Sequence, residues 1–314
     1  MNLHNDRENF YNLAAVVAQY KHIPMDAVIR DYYIVMMLQK LAGSVYLHQC
    51  IFKGGTSLSK CYPNTIDRFS EDIDLTYVPE NNVSDKQREK HLLEIEQILT
   101  DGFEIEKIER ERNKANKTCW VYFPNEEKSR VKVKLEIGSS IRPDPCSMLP
   151  LKTLVQEYLE TASLMDEIKK YDLCEVVVEV LAIERTFVDK VMAVKRHAVC
   201  GTLANKVRHI YDVIKLFDYP KIRDLLKNRQ ELKRLISLTK QTDSYYFEKR
   251  KMSVAYDPMQ SYDFESWKEL LDANVKRNYE SLHETLLYTD ERQNLNDAIE
   301  VFTAISQLFD ELGE

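Results

Sequence analysis

The sequence predicts an α/β (α+β) protein with two domains. Residues 1–150 form a domain built on a mixed β-sheet, and residues 151–314 form a mainly helical domain. In the first half, the segments DIDLTYV and VKVKLEIG alternate polar and apolar residues with the period of a β-strand. After the proline-containing stretch IRPDPCSMLPLKT, apolar residues recur mainly with helical spacing. We therefore place the domain boundary near Pro150.

The first half is predicted to alternate strands and helices. A helix over 26–47 follows a capping aspartate, and HQCIF forms a short strand that ends at Lys53. Gly54-Gly55 is predicted to be a turn, because two glycines weaken a helix or strand interior, and TSLSKCY begins a helix. The later elements are the strand DIDLTYV, a charged helix over 82–100, a hairpin of 104–109 with 120–123, and the strand VKVKLEIG.

The second half is predicted to be mainly helical. CEVVVEVLAI is a candidate for one more strand. Helical periodicity then marks four segments: ERTFVDKVMAVKRHA, the residues around Tyr211, residues 222–238 and the last fifty residues.

Composition excludes several classes of protein. No window approaches eighteen uninterrupted apolar residues, and the N-terminus lacks the pattern of a secretory signal, so we expect a soluble, cytoplasmic chain without a membrane partner. Six cysteines lie far apart without a CxxC pair, which argues against a zinc site or a disulfide framework. The net charge of −7 gives no general affinity for nucleic acid, but residues 185–251 hold seventeen Lys/Arg against seven Asp/Glu.

The stretch FKGGTSLSK contains two adjacent glycines in a chain that has seven. A glycine turn between a strand and a helix lets backbone N–H groups approach phosphate oxygens, and the helix N-terminus adds partial positive charge. Thr56 and Ser57 add hydroxyl groups at this point. The GxxxxGK[ST] spacing of a Walker A motif is absent, and a purely structural glycine turn is the alternative.

Carboxylates follow this turn in DIDLTYV. Asp72 and Asp74 project from the same face of a strand, and Glu136 lies on the polar face of VKVKLEIG. Magnesium binds in proteins through a few carboxylates together with substrate phosphates. Three such acids beside a phosphate-binding loop predict a site for two Mg²⁺ ions and a nucleoside triphosphate (NTP).

The motifs resemble those of the AbiEii-type nucleotidyltransferases, the toxins of type IV toxin–antitoxin and abortive-infection systems, within the polymerase-beta-like nucleotidyltransferase superfamily. The resemblance rests on FKGGTSLSK followed by RFSEDIDL, and it extends to RDYYIVMMLQKL, ERTFVDK and VRHIYDV, over residues 26–290. In VRHIYDV, VRH replaces the commoner SRH. The resemblance implies a nucleotidyltransferase domain followed by a helical domain that completes the active-site groove.

The resemblance also implies roles for individual residues. Gly54, Gly55, Thr56 and Ser57 would hold the triphosphate. Asp72 and Asp74 would bind metal, with Glu136 as a third ligand unless it is only a charge on the sheet face. Apart from the resemblance, Arg68 and Ser70 flank the acidic strand and are candidates for contact with the nucleotide, unless Ser70 only satisfies its local backbone.

Two further residues come from the helical half. Lys190, at the end of ERTFVDK, matches a family lysine, and its ammonium suits phosphates whose charge increases during transfer, unless it is only a solvated lysine on a helix. Asp212, in VRHIYDV, matches a family acid. It would orient Lys190 or Arg208 through an ion pair, or act on the incoming hydroxyl, unless it only forms a surface helix pair with Arg208.

The implied reaction is Mg²⁺-dependent transfer of a nucleoside monophosphate from an NTP to an acceptor hydroxyl, with release of pyrophosphate. The family implies an RNA acceptor, with the 3′ end of tRNA as the specific candidate, and a cognate antitoxin as partner. Alternatives are a protein or small-metabolite acceptor, or a non-catalytic nucleotide-binding protein. Transfer of the terminal phosphate as in protein kinases is disfavoured, because the HRD and DFG elements are missing.

Overall fold

The computed structural model describes residues 1–79, 83–139, 142–250, 256–285, 287–289 and 291–314. The chain forms two compact units. The first comprises Met1–Pro63 and Phe69–Leu181, and the second comprises Asn64–Arg68 and Ala182–Glu314. The first unit contains a mixed sheet with helices and the second is mainly helical, which confirms the predicted fold class.

The described strands form one sheet in the first unit. They are β1 (Cys50–Lys53), β2 (Asp72–Tyr77), β3 (Glu104–Lys107), β4 (Asn116–Tyr122), β5 (Lys132–Gly138), β6 (Cys146–Leu151) and β7 (Val176–Leu181). Their order across the sheet is β3-β4-β5-β2-β1-β7-β6. The pairs β1–β7 and β2–β5 are parallel, whereas the other neighbouring pairs are antiparallel. The sheet is therefore mixed, with β2 at its centre.

Strand β2 has the alternation that its sequence predicts. Ile73 and Leu75 are buried on one face, and Asp72 and Asp74 lie on the other face. In β5 the apolar residues are likewise buried, so that Glu136 lies on a partly exposed polar face. The buried apolar side chains thus hold the two strands in place. The charged residues of both strands lie on the opposite face as a result.

The helices of the first unit pack around this sheet. They are α1 (Arg7–Lys21), α2 (Met25–Ala42), α3 (Gly54–Cys61), α4 (Asp85–Thr100), α5 (Leu154–Thr161) and α6 (Met165–Lys170). Helix α2 ends five residues earlier than predicted, where Gly43 follows it, and a short 3₁₀ turn at Leu47–Gln49 leads into β1. Helix α4 begins after a capping box of Ser84 and Gln87, and residue 82, where it was predicted to begin, lies outside the described residues.

The helices of the second unit are α7 (Ile183–Val199), α8 (Arg208–Phe217), α9 (Pro220–Lys227), α10 (Arg229–Arg250), α11 (Ala273–Thr285) and α12 (Leu295–Glu311). Residues 222–238, predicted as one helix, are divided between α9 and α10. The break is at Asn228, whose N–H completes the end of α9 and whose side chain accepts a hydrogen bond from the N–H of Glu231. Asn228 therefore caps both helices.

The stretch around Pro150 is part of the sheet. Pro150 lies in β6, which pairs with β7, and β7 also pairs with β1. The contacts of the first unit therefore continue to Leu181, beyond the boundary placed near Pro150. Among the described residues, no helix is both long and apolar enough to cross a membrane.

Candidate active site

The glycine motif at Gly54 and the aspartate motif at Asp72 form one structural element in the first unit. Lys53, at the end of β1, pairs with Asp74 of β2, and α3 begins at the next residue. Gly54 has φ of +84°, and a Cβ atom placed on it would lie 2.2 Å from Oδ2 of Asp74. A side chain at position 54 would therefore overlap the carboxylate, which explains the glycine. The glycines form the first turn of α3 rather than a separate turn before it.

The first turn of α3 supplies backbone N–H groups, because the first four N–H groups of a helix have no partner within it. Thr56 and Ser57 are 2% and 0% exposed. The Thr56 hydroxyl donates to the carbonyl oxygen of Asp72 at 2.5 Å and lies 2.9 Å from Oγ of Ser70, and the Ser57 hydroxyl donates to the carbonyl oxygen of Gly54 at 3.0 Å. Both hydroxyls thus stabilise the loop, and the backbone is the part of GGTS that can meet a phosphate.

The acidic residues of β2 and β5 are neighbours. The parallel register places Asp74 opposite Glu136 and Asp72 opposite Lys134. However, Oε1 of Glu136 lies 2.6 Å from Nζ of Lys134, which also binds Glu111 at 2.8 Å. Burial lowers the pKa of Lys134, but its hydrogen bonds to these two carboxylates outweigh burial and raise it. Glu136 therefore shares the Lys134 ammonium with Glu111. The spacing of two residues between Lys134 and Glu136 already allows their contact on one face of the strand.

The donor set suits magnesium in part. Within the described ranges, no group of three or more His, Cys, Asp or Glu residues is arranged to hold a metal ion. Asp72 and Asp74 offer oxygen ligands on one strand face, and the bare backbone of Gly54 leaves space at the Asp74 carboxylate. Two carboxylates completed by substrate phosphates are a usual magnesium arrangement. The ion pair with Lys134 occupies Oε1 of Glu136 and competes with magnesium for that carboxylate.

In the second unit, Arg68, Lys190 and Asp212 form a buried cluster. Arg68 donates to both carboxylate oxygens of Asp212 at 2.6 Å, and Nζ of Lys190 lies 2.7 Å from Oδ2. The side chains of Arg68 and Asp212 are 4% and 0% exposed. Asp212 therefore binds Lys190 as the sequence predicted, but its second partner is Arg68 rather than Arg208.

The charges of this cluster determine the protonation state of the Asp212 carboxyl. Burial raises the pKa of the Asp212 carboxyl, but Arg68 and Lys190 outweigh burial and hold that pKa well below its ordinary value. A carboxylate that is fully buried, bound on both oxygens and of low pKa is a poor base for an incoming hydroxyl. The geometry favours the role of orienting Lys190.

Helix α8 also holds the short segment that carries Arg68. The Tyr211 hydroxyl accepts a hydrogen bond from the N–H of Asp67 at 3.3 Å, and Lys215 lies 2.8 Å from the Asp67 carboxylate. Tyr288 donates from its N–H to the carbonyl oxygen of Asp67 and from its hydroxyl to that of Ile66, at 3.1 Å in each case. These contacts fix residues 64–68 on the second unit.

Two other residues near this cluster are structural. Arg185, in ERTFVDK, is fully buried and donates to Asp189 at 2.8 Å, which also accepts from Thr239 at 2.7 Å. The hydrogen bond from Thr239 to Asp189 joins α10 to α7. His209 stacks on His197, and burial, followed by the charge of Lys190, lowers its pKa well below the ordinary value. His209 is therefore neutral.

Known proteins resemble this chain in sequence pattern and in fold. The family model described as "Nucleotidyl transferase AbiEii toxin, Type IV TA system" matches residues 37–301. The structure is similar to that of MenT4, a nucleotidyltransferase toxin from Mycobacterium tuberculosis, with a TM-score of 0.51, 17% identity, and coverage of 95% of this chain and 98% of that chain. JHP933 from Helicobacter pylori matches with a TM-score of 0.38, 17% identity, and coverage of 82% and 94%. No curated protein sequence matches the chain.

Proposed function

The chain belongs to the AbiEii nucleotidyltransferase toxin family, and we propose that it carries out Mg²⁺-dependent transfer of a nucleoside monophosphate from an NTP to RNA. The specific acceptor in this proposal is the 3′ hydroxyl of tRNA, and pyrophosphate is the second product. The observation that carries the proposal is the approach of Gly54 to the Asp74 carboxylate, which brings together a helix N-terminus and the acid that we propose as a metal ligand.

The proposed triphosphate site is the first turn of α3. The backbone N–H groups from Gly54 to Ser57 bind phosphate oxygens, and the dipole of α3 favours their negative charge. The buried hydroxyls of Thr56 and Ser57 keep this turn in place rather than touching the nucleotide. Ser70 acts in the same way through its contact with Thr56.

Asp72 and Asp74 are the proposed magnesium ligands, with Glu136 as a third. Bound magnesium would activate the acceptor hydroxyl and neutralise charge on the leaving pyrophosphate, and the number of ions proposed is two. The face of β2 orients both aspartates, since Ile73 and Leu75 anchor the strand in the core. Gly54 keeps the space beside Asp74 free of a side chain.

For Lys190 we propose contact with nucleotide phosphates whose charge increases during transfer. Asp212 orients this lysine, and Arg68 fixes Asp212 with two parallel hydrogen bonds. Arg68 is thereby assigned a positioning role in place of the nucleotide contact expected from sequence. Its 4% exposure and its two bonds to Asp212 support this change.

The RNA acceptor is supported by exposed positive charge. Exposed basic residues of α9 and α10 include Arg223, Lys227, Arg229, Lys233 and Arg234. Lys251, the last residue of the basic segment, lies outside the described residues. Lysines and arginines on a surface bind the phosphate backbone of RNA in a salt-dependent way. An antitoxin partner follows from membership of a toxin family.

The acceptor is tested by incubating the protein with Mg²⁺, each α-³²P-labelled NTP in turn, and total bacterial tRNA. A matched tRNA sample is oxidised with periodate, which destroys the terminal ribose diol. The proposal predicts label on intact tRNA and none on oxidised tRNA. Label on both samples would place the acceptor elsewhere on RNA, and label only on protein would replace RNA by a protein acceptor.

A further inference from the structure

Helix α3 carries the proposed triphosphate site at its first turn and a buried ion pair in its last turn. Nζ of Lys60 lies 2.7 Å from Oδ1 of Asp31 on α2, and the two side chains are 6% and 10% exposed. We propose that Lys60 and Asp31 are positioning residues that hold the nucleotide-binding end of α3 in place. This inference rests on the proposed function, because it assigns these residues to the same site.

Helix α3 needs external anchors. It has eight residues, and helices of this length are not stable alone in water. Its first two residues are glycines, which have no side chains that could anchor this end of the helix by packing. The position of its N–H groups is therefore set by contacts with the rest of the first unit.

Such contacts exist at both ends of α3. At the first turn, Thr56 donates to the carbonyl oxygen of Asp72. After the last turn, the Tyr62 hydroxyl donates to the carbonyl oxygen of Leu181 in β7 at 3.0 Å. Asp31 adds a second connection at this end, because its other oxygen accepts a hydrogen bond from the N–H of Leu154, the first residue of α5, at 2.6 Å. Asp31 thus ties α3 and α5 to α2.

The charges around Lys60 are balanced. Glu157 of α5 lies 3.8 Å from Lys60 and 2.9 Å from Lys21 of α1. Burial lowers the pKa of Lys60, but Asp31 and Glu157 outweigh burial and raise it. Lys60 is therefore charged and bound to Asp31, rather than available to a phosphate, and loss of either partner leaves a buried charge without compensation.

Binding of NTP by purified protein tests the inference without an acceptor. Equilibrium dialysis with Mg²⁺ and ATP, GTP, CTP or UTP in turn gives a Kd for each nucleotide. The double variant Asp31→Leu with Lys60→Met removes both charges and leaves none buried. We expect its Kd for the best-bound nucleotide to rise about tenfold, because a small displacement of the N–H groups weakens phosphate binding.

Two variants serve as controls. Lys21→Met breaks the more exposed pair of the same cluster without touching α3, and we expect it to keep the wild-type Kd. Lys60→Arg keeps the charge that binds Asp31, and we expect it to retain most of the wild-type affinity. The melting temperature of each variant is measured in parallel, so that a loss of folded protein is separated from a change in Kd.

The possible results lead to different conclusions. A double variant that melts earlier but binds NTP with the wild-type Kd shows a purely stabilising pair and overturns the inference. The same holds if Lys21→Met weakens binding as much as the double variant does. A wild-type protein that binds none of the four nucleotides overturns the proposed function itself, and the positioning role with it.

Discussion

The carboxylate of Asp74 lies where the side chain of residue 54 would lie, because the Cβ position of Gly54 is 2.2 Å from Oδ2 of Asp74. The relationship joins two motifs that are twenty residues apart in the chain. It explains why the glycine precedes the acidic strand: only a backbone without a side chain lets the first turn of α3 approach the acid.

Gly54→Ala is expected to abolish transfer. The new methyl group overlaps Asp74, and a left-handed φ costs a residue other than glycine about 1–2 kcal/mol. We expect a fall in kcat/KM of at least about a hundredfold, measured by transfer of label to RNA. Gly102→Ala is the matched control, because Gly102 has φ of +76° but nothing within 4 Å of its Cβ position. Equal losses in both variants would show that backbone strain, not the overlap with Asp74, is responsible.

Asp72→Asn and Asp74→Asn are each expected to abolish transfer while the fold is kept. Both residues lie on the partly exposed face of β2, and the amide group keeps the size of the side chain but is a poor magnesium ligand. Activity and melting temperature are measured together. Glu106→Gln, on the edge strand β3 of the same sheet, is the control and keeps its activity. Activity close to wild type in either aspartate variant contradicts the metal assignment.

Lys134→Met distinguishes the two interpretations of Glu136. If Glu136 is a metal ligand, removal of the Lys134 ammonium frees its carboxylate, and half-maximal activity is reached at a several-fold lower Mg²⁺ concentration. If Glu136 is only a charge on the sheet face, the Mg²⁺ dependence does not change. The measurement is a magnesium titration of the wild-type protein, Lys134→Met and the double variant with Glu136→Gln, in which the gain should disappear.

Asp212→Asn is expected to lower the free energy of unfolding by about 3–5 kcal/mol at neutral pH, because it removes the buried carboxylate that binds both Arg68 and Lys190. The folded pKa of Asp212 is depressed, so its contribution is complete above the unfolded pKa of about 3.9. The contribution is lost as pH falls from there through the lower folded pKa.

Urea unfolding from about pH 7 to about pH 2.5 checks this behaviour. The difference in the free energy of unfolding between wild type and Asp212→Asn should stay constant down to about pH 4 and shrink below it. Asp224→Asn, in an exposed pair with Lys227, is the control and should cost at most about 1 kcal/mol. A difference that is already lost between neutral pH and about pH 5 would argue against a depressed pKa.

Short-range patterns predicted the elements of the site well. The alternation of DIDLTYV and VKVKLEIG placed Asp72, Asp74 and Glu136 on polar strand faces, as the structure does. The pattern CEVVVEVLAI likewise marked β7. Such patterns are reliable because burial of one strand face is recorded in the residues themselves.

Long-range contacts were not accessible in this way. The ion pair of Asp212 was expected with Lys190 or Arg208, and the pair with Lys190 is present. Its second partner, Arg68, is separated from it by 144 residues, and no periodicity relates the two. In the same way, Thr56 and Ser57 were expected to offer their hydroxyls to the nucleotide. Both residues are buried, and this burial was not evident from the sequence because it depends on how α3 packs. Strand β6 was missed because prolines there indicated a linker, although an edge strand tolerates proline.

The most direct test of the central claim compares the two labelled phosphates of one NTP. Wild-type protein, Asp74→Asn and Glu106→Gln are incubated with Mg²⁺, tRNA, and NTP labelled at either the α- or the γ-phosphate. The account predicts α-label on RNA with wild type and Glu106→Gln, no label with Asp74→Asn, and γ-label only in released pyrophosphate. Transfer of γ-label to the acceptor, or α-label on RNA with Asp74→Asn at the wild-type rate, would contradict it.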